Sequence, residues 1–158
     1  MNFIDDLEKY SRNTAVIIKE SKQISYKDLL ETADSIGKQI NNRCLVLVVC
    51  KNCFESVAGY IGFSRAATVQ ILIADTIDNN FFANLLEAYR PEYIYLPVER
   101  SGLINNCEIV YSYGSYMLHK TNYFIDYTLH DDLALLLTTS GSTGSPKLVR
   151  QSYKNIYS

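Results

Sequence analysis

Leu45-Val46-Leu47-Val48-Val49 is apolar at every position. A strand that packs on one face alternates apolar and polar residues, whereas a strand covered on both faces is apolar throughout. This stretch therefore predicts a central strand of a parallel sheet with helices on both faces. Two further, largely apolar runs at residues 69–73 and 93–96 follow at a spacing that leaves room for one helix between successive strands.

The segments beside these runs carry the signals of helices. Ser25 and Asp28 form a capping box, which satisfies free N–H groups at a helix start, and the apolar stripe behind it predicts a helix over residues 26–40. Asp78 is placed to cap another helix, which Arg90-Pro91 ends. Alternating strands and helices predict an α/β fold with a doubly wound, mostly parallel sheet flanked by helices.

Residues 98–130 are rich in tyrosine and have weaker periodicity. Residues 109–113 and 116–119 are predicted strands on either side of a Gly114-Ser115 turn, and residues 123–126 are predicted to form another strand. Tyrosine is common at sheet positions, so we interpret the tyrosines of this region as packing residues. An aromatic binding surface is the alternative.

The overall composition excludes several classes of protein. A chain of 158 residues has the length of one domain, and its 47% hydrophobic and 20% charged residues exclude a disordered chain. The formal net charge of −2 argues against a nucleic-acid binder, which needs a basic face. No apolar run approaches the roughly 18 residues of a membrane span, and the acidic N-terminus is unlike a signal peptide. We therefore expect a soluble, cytoplasmic protein.

Four cysteines, Cys44, Cys50, Cys53 and Cys107, leave two interpretations open. The Cys50-x-x-Cys53 spacing occurs in redox and zinc sites, and a helix N-terminus capped by Asn52 would lower the thiol pKa. Burial as small core residues is the other interpretation, because cysteine is among the most often buried residue types.

No metal site is predicted. Zinc would need two more ligands at matching spacing, and the remaining candidates, Cys107, His119 and His130, are scattered along the chain. The two histidines have no neighbouring partners for nucleophilic chemistry, so we interpret them as half-buried or surface residues.

The stretch that carries chemistry follows an apolar strand at residues 133–137. It reads Thr139-Ser140-Gly141-Ser142-Thr143-Gly144-Ser145-Pro146-Lys147. Glycines let backbone N–H groups approach a phosphate, hydroxyls add donors, and Lys147 adds a positive charge. Pro146 stands where the Walker pattern requires glycine, which argues against a P-loop GTPase or kinase. Composition alone leaves two interpretations open, a phosphate-binding loop and a flexible surface loop.

The order of residues in this loop resembles the signature loop of the acyl-adenylate-forming (AMP-binding) superfamily. Its members include acyl-CoA synthetases, peptide-synthetase adenylation domains and luciferases. Three other stretches, at residues 23–29, 50–55 and 152–156, are similar to the segments that surround this loop in the family. The resemblance implies the N-terminal subdomain of the adenylate-forming fold, with residues 139–147 near its C-terminal end.

The resemblance also implies a reaction. A carboxylate attacks the α-phosphate of ATP and gives an acyl-adenylate and pyrophosphate, after which the acyl group passes to an acceptor such as the thiol of coenzyme A or a carrier protein. The loop would hold the leaving phosphates with Mg²⁺ alongside. The implied ATP-binding residues are Thr139, Ser140, Gly141, Ser142, Thr143, Gly144 and Lys147.

The chain departs from the family pattern in three ways. Leu148 stands where the family most often has glycine, and a positive φ there would strain a leucine. Tyr153 replaces a histidine that many members have. The family's magnesium-binding, ribose-binding and C-terminal catalytic residues lie beyond residue 158. We therefore expect residues 1–158 to be a single truncated AMP-binding N-terminal subdomain, without catalytic or metal-binding residues and inactive alone.

Two alternatives to a ligase fragment stay open. One is a non-catalytic nucleotide-binding or regulatory module that retains the phosphate loop. The other is a small redox protein that uses Cys50 and Cys53.

Overall fold

The computed structural model describes residues 3–18, 22–138 and 147–157. Short 3₁₀ helices at residues 7–10 and 98–103 join the regular elements. In chain order these elements are α1 (Phe3–Asp6), β1 (Thr14–Ile17), β2 (Gln23–Ser25), α2 (Tyr26–Gly37), β3 (Leu45–Cys50), α3 (Phe54–Arg65), β4 (Val69–Ala74), α4 (Asn79–Tyr89), β5 (Tyr93–Pro97), β6 (Glu108–Tyr113), β7 (Tyr116–Lys120), β8 (Leu133–Thr138), β9 (Leu148–Ser152) and α5 (Tyr153–Tyr157).

Seven of the strands form one mixed sheet in the order β6-β7-β5-β3-β4-β8-β9. The four central strands, β5, β3, β4 and β8, are parallel. On one side β7 and β6 continue the sheet as an antiparallel hairpin, and on the other side β9 pairs antiparallel with β8. The parallel centre confirms the prediction, and both edges of the sheet are antiparallel additions to it.

Helices cover both faces of this sheet. Val46 and Val48 of β3 pack in a cluster with α2 and α3, whereas Leu45, Leu47 and Val49 pack in a second cluster with α4. All five side chains are at most 2% exposed. Burial on two faces explains why this strand has no polar position.

The capping signals have three outcomes. The Ser25 hydroxyl accepts a hydrogen bond from the N–H of Asp28, and the Asp78 side chain accepts from two N–H groups of α4, so both predicted caps are confirmed. The predicted cap at Asn52 is wrong, because Cys53 is the N-cap of α3 and it makes no side-chain capping bond. Helix α2 ends at Gly37, three residues before the predicted end.

The predicted strand at residues 123–126 is also wrong. This segment has no regular structure, and Phe124 is 78% exposed. The segment is instead tied to the end of α4, where the Tyr127 hydroxyl donates to the Arg90 carbonyl and Asp126 lies 3.7 Å from the Arg90 guanidinium. The residues of this segment favour strands by type, but the segment pairs with no strand of the described sheet.

The buried tyrosines of the sheet are packing residues, as predicted, whereas Tyr123 is 37% exposed and lies outside the sheet. Tyr93, Tyr95 and Tyr116 are each at most 7% exposed. The rings of Tyr95 and Tyr116 lie 4.8 Å apart, and the Tyr116 hydroxyl donates to the Val49 carbonyl.

Candidate functional site

The predicted phosphate loop joins two strands that are neighbours in the sheet. Six of its predicted binding residues, Thr139 to Gly144, lie outside the described residues, and Lys147 lies inside them. Thr138 at the end of β8 is paired with Leu148 at the start of β9. Paired residues of antiparallel strands lie about 4.5–5.5 Å apart. The connection between them therefore leaves and re-enters the sheet at adjacent positions.

This connection begins at the edge of the sheet where the parallel strands end. Cys50 of β3, Ala74 of β4 and Thr138 of β8 are the last residues of parallel neighbours. Ligands of open α/β sheets bind beside the carboxyl ends of the strands. The fold thus places both flanks of the predicted loop at the edge where a ligand is expected.

Lys147 is the charged residue at this flank. Its side chain is exposed, and within the described part of the chain its ammonium group has no hydrogen-bond or ion-pair partner. A mobile ammonium group that is not neutralised by a carboxylate can bind the oxygens of a phosphate.

Leu148 causes no backbone strain. It begins β9 as an extended residue, and it is not among the described residues with positive φ. Its N–H donates to the Tyr89 hydroxyl at 3.1 Å, and its side chain packs against the cluster under α4. The strain that a positive φ would have caused is therefore absent at this residue.

A pocket of about 430 Å³ lies at the same edge, between the ends of β3 and β5. The chain leaves β3 towards β4 on one side and leaves β5 towards β6 on the other, so this pocket is at the topological switch point of the sheet. The Lys51 ammonium lies 2.5 Å from a Glu99 carboxylate oxygen, which raises the Lys51 pKa and lowers the Glu99 pKa. Arg100 donates to the Asn79 side chain at 2.8 Å.

No motif in the sequence pointed to Lys51, Glu99 or Arg100 as site residues. Their position directly after two predicted strands is the signal that could have found them. Because Lys51 and Arg100 already have protein partners, these two cations are less available to bind a phosphate than Lys147 is.

The cysteine pair does not have the properties of a redox site. Burial raises the pKa of both the Cys50 and the Cys53 thiol, whereas a reactive thiol needs a lowered pKa. Cys44 is buried and its pKa is raised to about 12. The expected lowering by the α3 N-terminus is outweighed by loss of hydration, so the structure favours the interpretation as packing residues.

The two histidines lie in different environments. His119 is 4% exposed on β7, which corrects the expectation of a half-buried or surface residue, whereas His130 is exposed as predicted. Among the described residues no group of three histidine, cysteine or acidic side chains could hold a metal ion. No helix in the described ranges is long and apolar enough to cross a membrane.

A family comparison matches almost the whole chain. The sequence profile described as "AMP-binding enzyme" matches residues 3–158. The chain is 24% identical to bacitracin synthase 2 of Bacillus licheniformis and 27% identical to tyrocidine synthase 2 of Brevibacillus parabrevis, in both cases over 98% of its length. It spans 6% and 4% of these two long relatives. The chain belongs to the AMP-binding enzyme family.

Solved structures show the same fold. MatB of Rhodopseudomonas palustris superimposes with a TM-score of 0.71 at 16% identity, over 98% of this chain and 35% of that one. The O-succinylbenzoate coenzyme A synthetase MenE of Bacillus subtilis, in complex with AMP, gives 0.69 at 16% identity, over 99% and 43%. The Klebsiella oxytoca NpsA N-terminal subdomain gives 0.64 at 18% identity, over 96% and 39%. The α/β unit described above is therefore the fold found in adenylate-forming enzymes.

Proposed function

We propose that this chain is the phosphate-binding part of an ATP-dependent ligase that activates a carboxylic acid. In that reaction a carboxylate displaces pyrophosphate from ATP, and the acyl-adenylate formed passes its acyl group to a thiol of coenzyme A or of a carrier protein. The observation that carries the proposal is the Lys147 ammonium at the carboxyl edge of the sheet, which has no partner among residues 3–18, 22–138 and 147–157, in a chain that belongs to the AMP-binding enzyme family.

The proposed roles follow from the chemistry of the loop residues. Backbone N–H groups at Gly141 and Gly144 and the hydroxyls of Thr139, Ser140, Ser142 and Thr143 would donate to the β- and γ-phosphates, and Lys147 would balance their charge. Mg²⁺ would enter with the triphosphate as part of the substrate, because it keeps phosphate and water ligands. Displacement at phosphorus depends mainly on positioning and on charge stabilisation. The loop would hold the leaving group still while its negative charge grows.

The first test is ATP binding by the chain itself. We expect Lys147→Ala to weaken binding of Mg-ATP and of inorganic tripolyphosphate by about tenfold or more, since a charge-assisted hydrogen bond contributes about 1.5–3 kcal/mol. Isothermal titration calorimetry measures both affinities. Lys154→Ala is the matched control, because Lys154 is an exposed lysine of α5 at the opposite end of β9 and should leave both affinities unchanged.

The same substitution also tests catalysis, in a longer protein that includes the rest of an adenylate-forming enzyme. Carboxylate-dependent exchange of pyrophosphate into ATP should be lost or strongly reduced by Lys147→Ala. Exchange that persists in the variant at normal rate would contradict the role of this lysine. We expect the chain of 158 residues to show no exchange by itself, because the resemblance puts the catalytic residues further along the longer enzymes.

The second candidate is a regulatory or binding module without catalysis. It is supported by the same lysine and the same edge of the sheet, and it predicts nucleotide binding without exchange even in the extended protein. The acyl substrate and the acceptor would be identified by screening carboxylic acids in that assay. We further propose that the protein acts in the cytoplasm.

A further inference from the structure

Strands β8 and β9, which flank the predicted phosphate loop in the chain, pair as an antiparallel hairpin. Strand β8 is held on its other side by β4, where Gln70, Ile71 and Leu72 pair with residues 135–137. Strand β9 is the last strand of the sheet and has β8 as its neighbour there. The position of Lys147, which directly precedes β9, therefore depends on how β9 is aligned with β8.

The alignment of β9 changes near the base of the hairpin. Leu133 is paired with Ser152 and Leu135 with Gln151, so Ala134 forms an irregularity in the ladder. A shift of one residue in a strand moves each side chain to the opposite face of the sheet. It also displaces the strand by about 3.3 Å along its axis. A correct Lys147 position therefore needs a contact that fixes the base.

Arg43 supplies such a contact. One terminal nitrogen of its guanidinium donates to the Leu133 carbonyl at 2.6 Å and to the His130 carbonyl at 2.8 Å. The other donates to the Ala67 carbonyl at 2.8 Å and to the Tyr153 hydroxyl at 3.2 Å. One side chain thus joins the start of β8, the first residue of α5 and the turn before β4.

The contact with Tyr153 has two components. The Arg43 guanidinium lies 5.8 Å from the centre of the Tyr153 ring, within the range of a cation–π interaction, in addition to the hydrogen bond with the hydroxyl. The Tyr153 N–H also donates to the Asp132 carbonyl at 3.0 Å. Tyr153 therefore ties the end of β9 to the residue that precedes β8.

We propose that Arg43 is a positioning residue for Lys147, which it serves by fixing the register of β9 from the base of the hairpin. Arg43 precedes β3 at the amino end of the parallel strands, whereas Lys147 precedes β9 beside their carboxyl ends, so Arg43 acts through β8 and β9 without touching the ligand. The effect of Arg43 on the register of β9 follows from the contacts above, and its effect on ligand binding rests on the proposed function.

Hydrogen exchange of the chain tests the register without any nucleotide. We expect Arg43→Met to lower the protection of the β9 amides by about tenfold or more, because hydrogen bonds to a charged group are lost, and to leave the β3 amides unchanged. Tyr153→Leu should lower β9 protection as well, because it removes the hydroxyl that accepts from Arg43 and the ring that Arg43 contacts. Arg12→Met, at an exposed arginine, is the control. Equal loss of protection in β3 and β9, or unchanged β9 protection in both variants, would overturn the proposal.

Binding of tripolyphosphate then tests the link to Lys147. If Arg43 acts by positioning Lys147, Arg43→Met should weaken tripolyphosphate binding severalfold in the natural chain. It should have little further effect on binding in a Lys147→Ala background. Additive losses would overturn the link and leave a purely structural role. A chain that binds no polyphosphate would contradict the proposed function, and hydrogen exchange would still decide the register.

Discussion

At the scale of single residues, His119 is a buried polar side chain whose lost hydration is not replaced by hydrogen bonds within the described part of the chain. Its side chain lies on β7 opposite Ile94 and Ile109 and is 4% exposed. Neither ring nitrogen has a hydrogen-bond partner among the described residues. Burial therefore lowers the His119 pKa, because the charged imidazolium would lose its hydration without gaining a partner.

This lowered pKa predicts a pH-dependent stability. Below the usual histidine pKa of about 6.5 the unfolded chain binds a proton that the folded chain excludes, so the free energy of unfolding should fall as the pH falls. His119→Phe should remove this part of the decline between pH 7.5 and 5. Urea denaturation at several pH values measures it.

The control for this experiment is Ile109→Val on β6, opposite His119, because it changes a neighbouring side chain without removing a titratable group. It should leave the pH dependence of the natural chain unchanged. If the difference in stability between the natural chain and His119→Phe were the same at all pH values, His119 would not be the titrating group.

At the scale of elements, α2 and α3 are in direct contact through two glycines. A Cβ atom built on Gly62 would lie 2.2 Å from the Ala33 carbonyl oxygen, and one built on Gly37 would lie 2.5 Å from the Gly62 carbonyl oxygen. Both obstacles are backbone atoms, which cannot rotate away. The two helices can therefore lie this close only because these positions have no side chain.

Gly62→Ala should destabilise the chain by about 2–3 kcal/mol, the upper part of the range for overpacked cores, because one helix must move. Gly102→Ala is a matched control, since a Cβ atom there would have no neighbour within 4 Å. Thermal denaturation followed by circular dichroism measures both changes. Similar melting temperatures for the two variants would show that the helices separate at little cost.

The same scale shows how far the sequence could predict the structure. The caps at Ser25 and Asp78 and the apolar run of β3 are signals carried by neighbouring residues, and these elements were predicted well. Strand β9 was not predicted, because Leu148 and Val149 precede three polar residues and the strand exists by pairing with β8. Local sequence has little information about such a partner.

The site was predicted in part for the same reason. Lys147 was identified from the order of residues in the loop, and the fold places it beside the carboxyl ends of the parallel strands. No local sequence pattern pointed to Arg43, because its partners at residues 67, 130, 133 and 153 come together only when the sheet forms. The phosphate-binding roles of Lys147 and of the residues from Thr139 to Gly144 stay predictions.

At the scale of the whole molecule, the sheet is assembled from distant parts of the chain. Strand β4 pairs with β3, about 24 residues earlier, and with β8, about 65 residues later. Leu136 of β8 packs in the same cluster as Ile71 of β4 and Phe82 of α4. The hairpin that carries the candidate site is therefore also the cover for one edge of the parallel core.

Removal of residues 129–158 tests this dependence. The shortened chain should expose the edge of β4 together with part of the cluster under α4, so we expect strong binding of the dye ANS and loss of a cooperative thermal transition. Fluorescence and near-ultraviolet circular dichroism measure both properties. A shortened chain that melts cooperatively near the temperature of the full chain would contradict this account.

The long separation between β4 and β8 has a consequence for synthesis on the ribosome. At about 5–20 residues per second, the roughly 65 residues between the two strands take about 3–13 seconds to translate. During that time the nascent chain has finished β3, β4 and β5 but still offers an unpaired strand edge to any chain nearby. A chaperone that binds exposed strand edges would have its longest opportunity to do so in this interval.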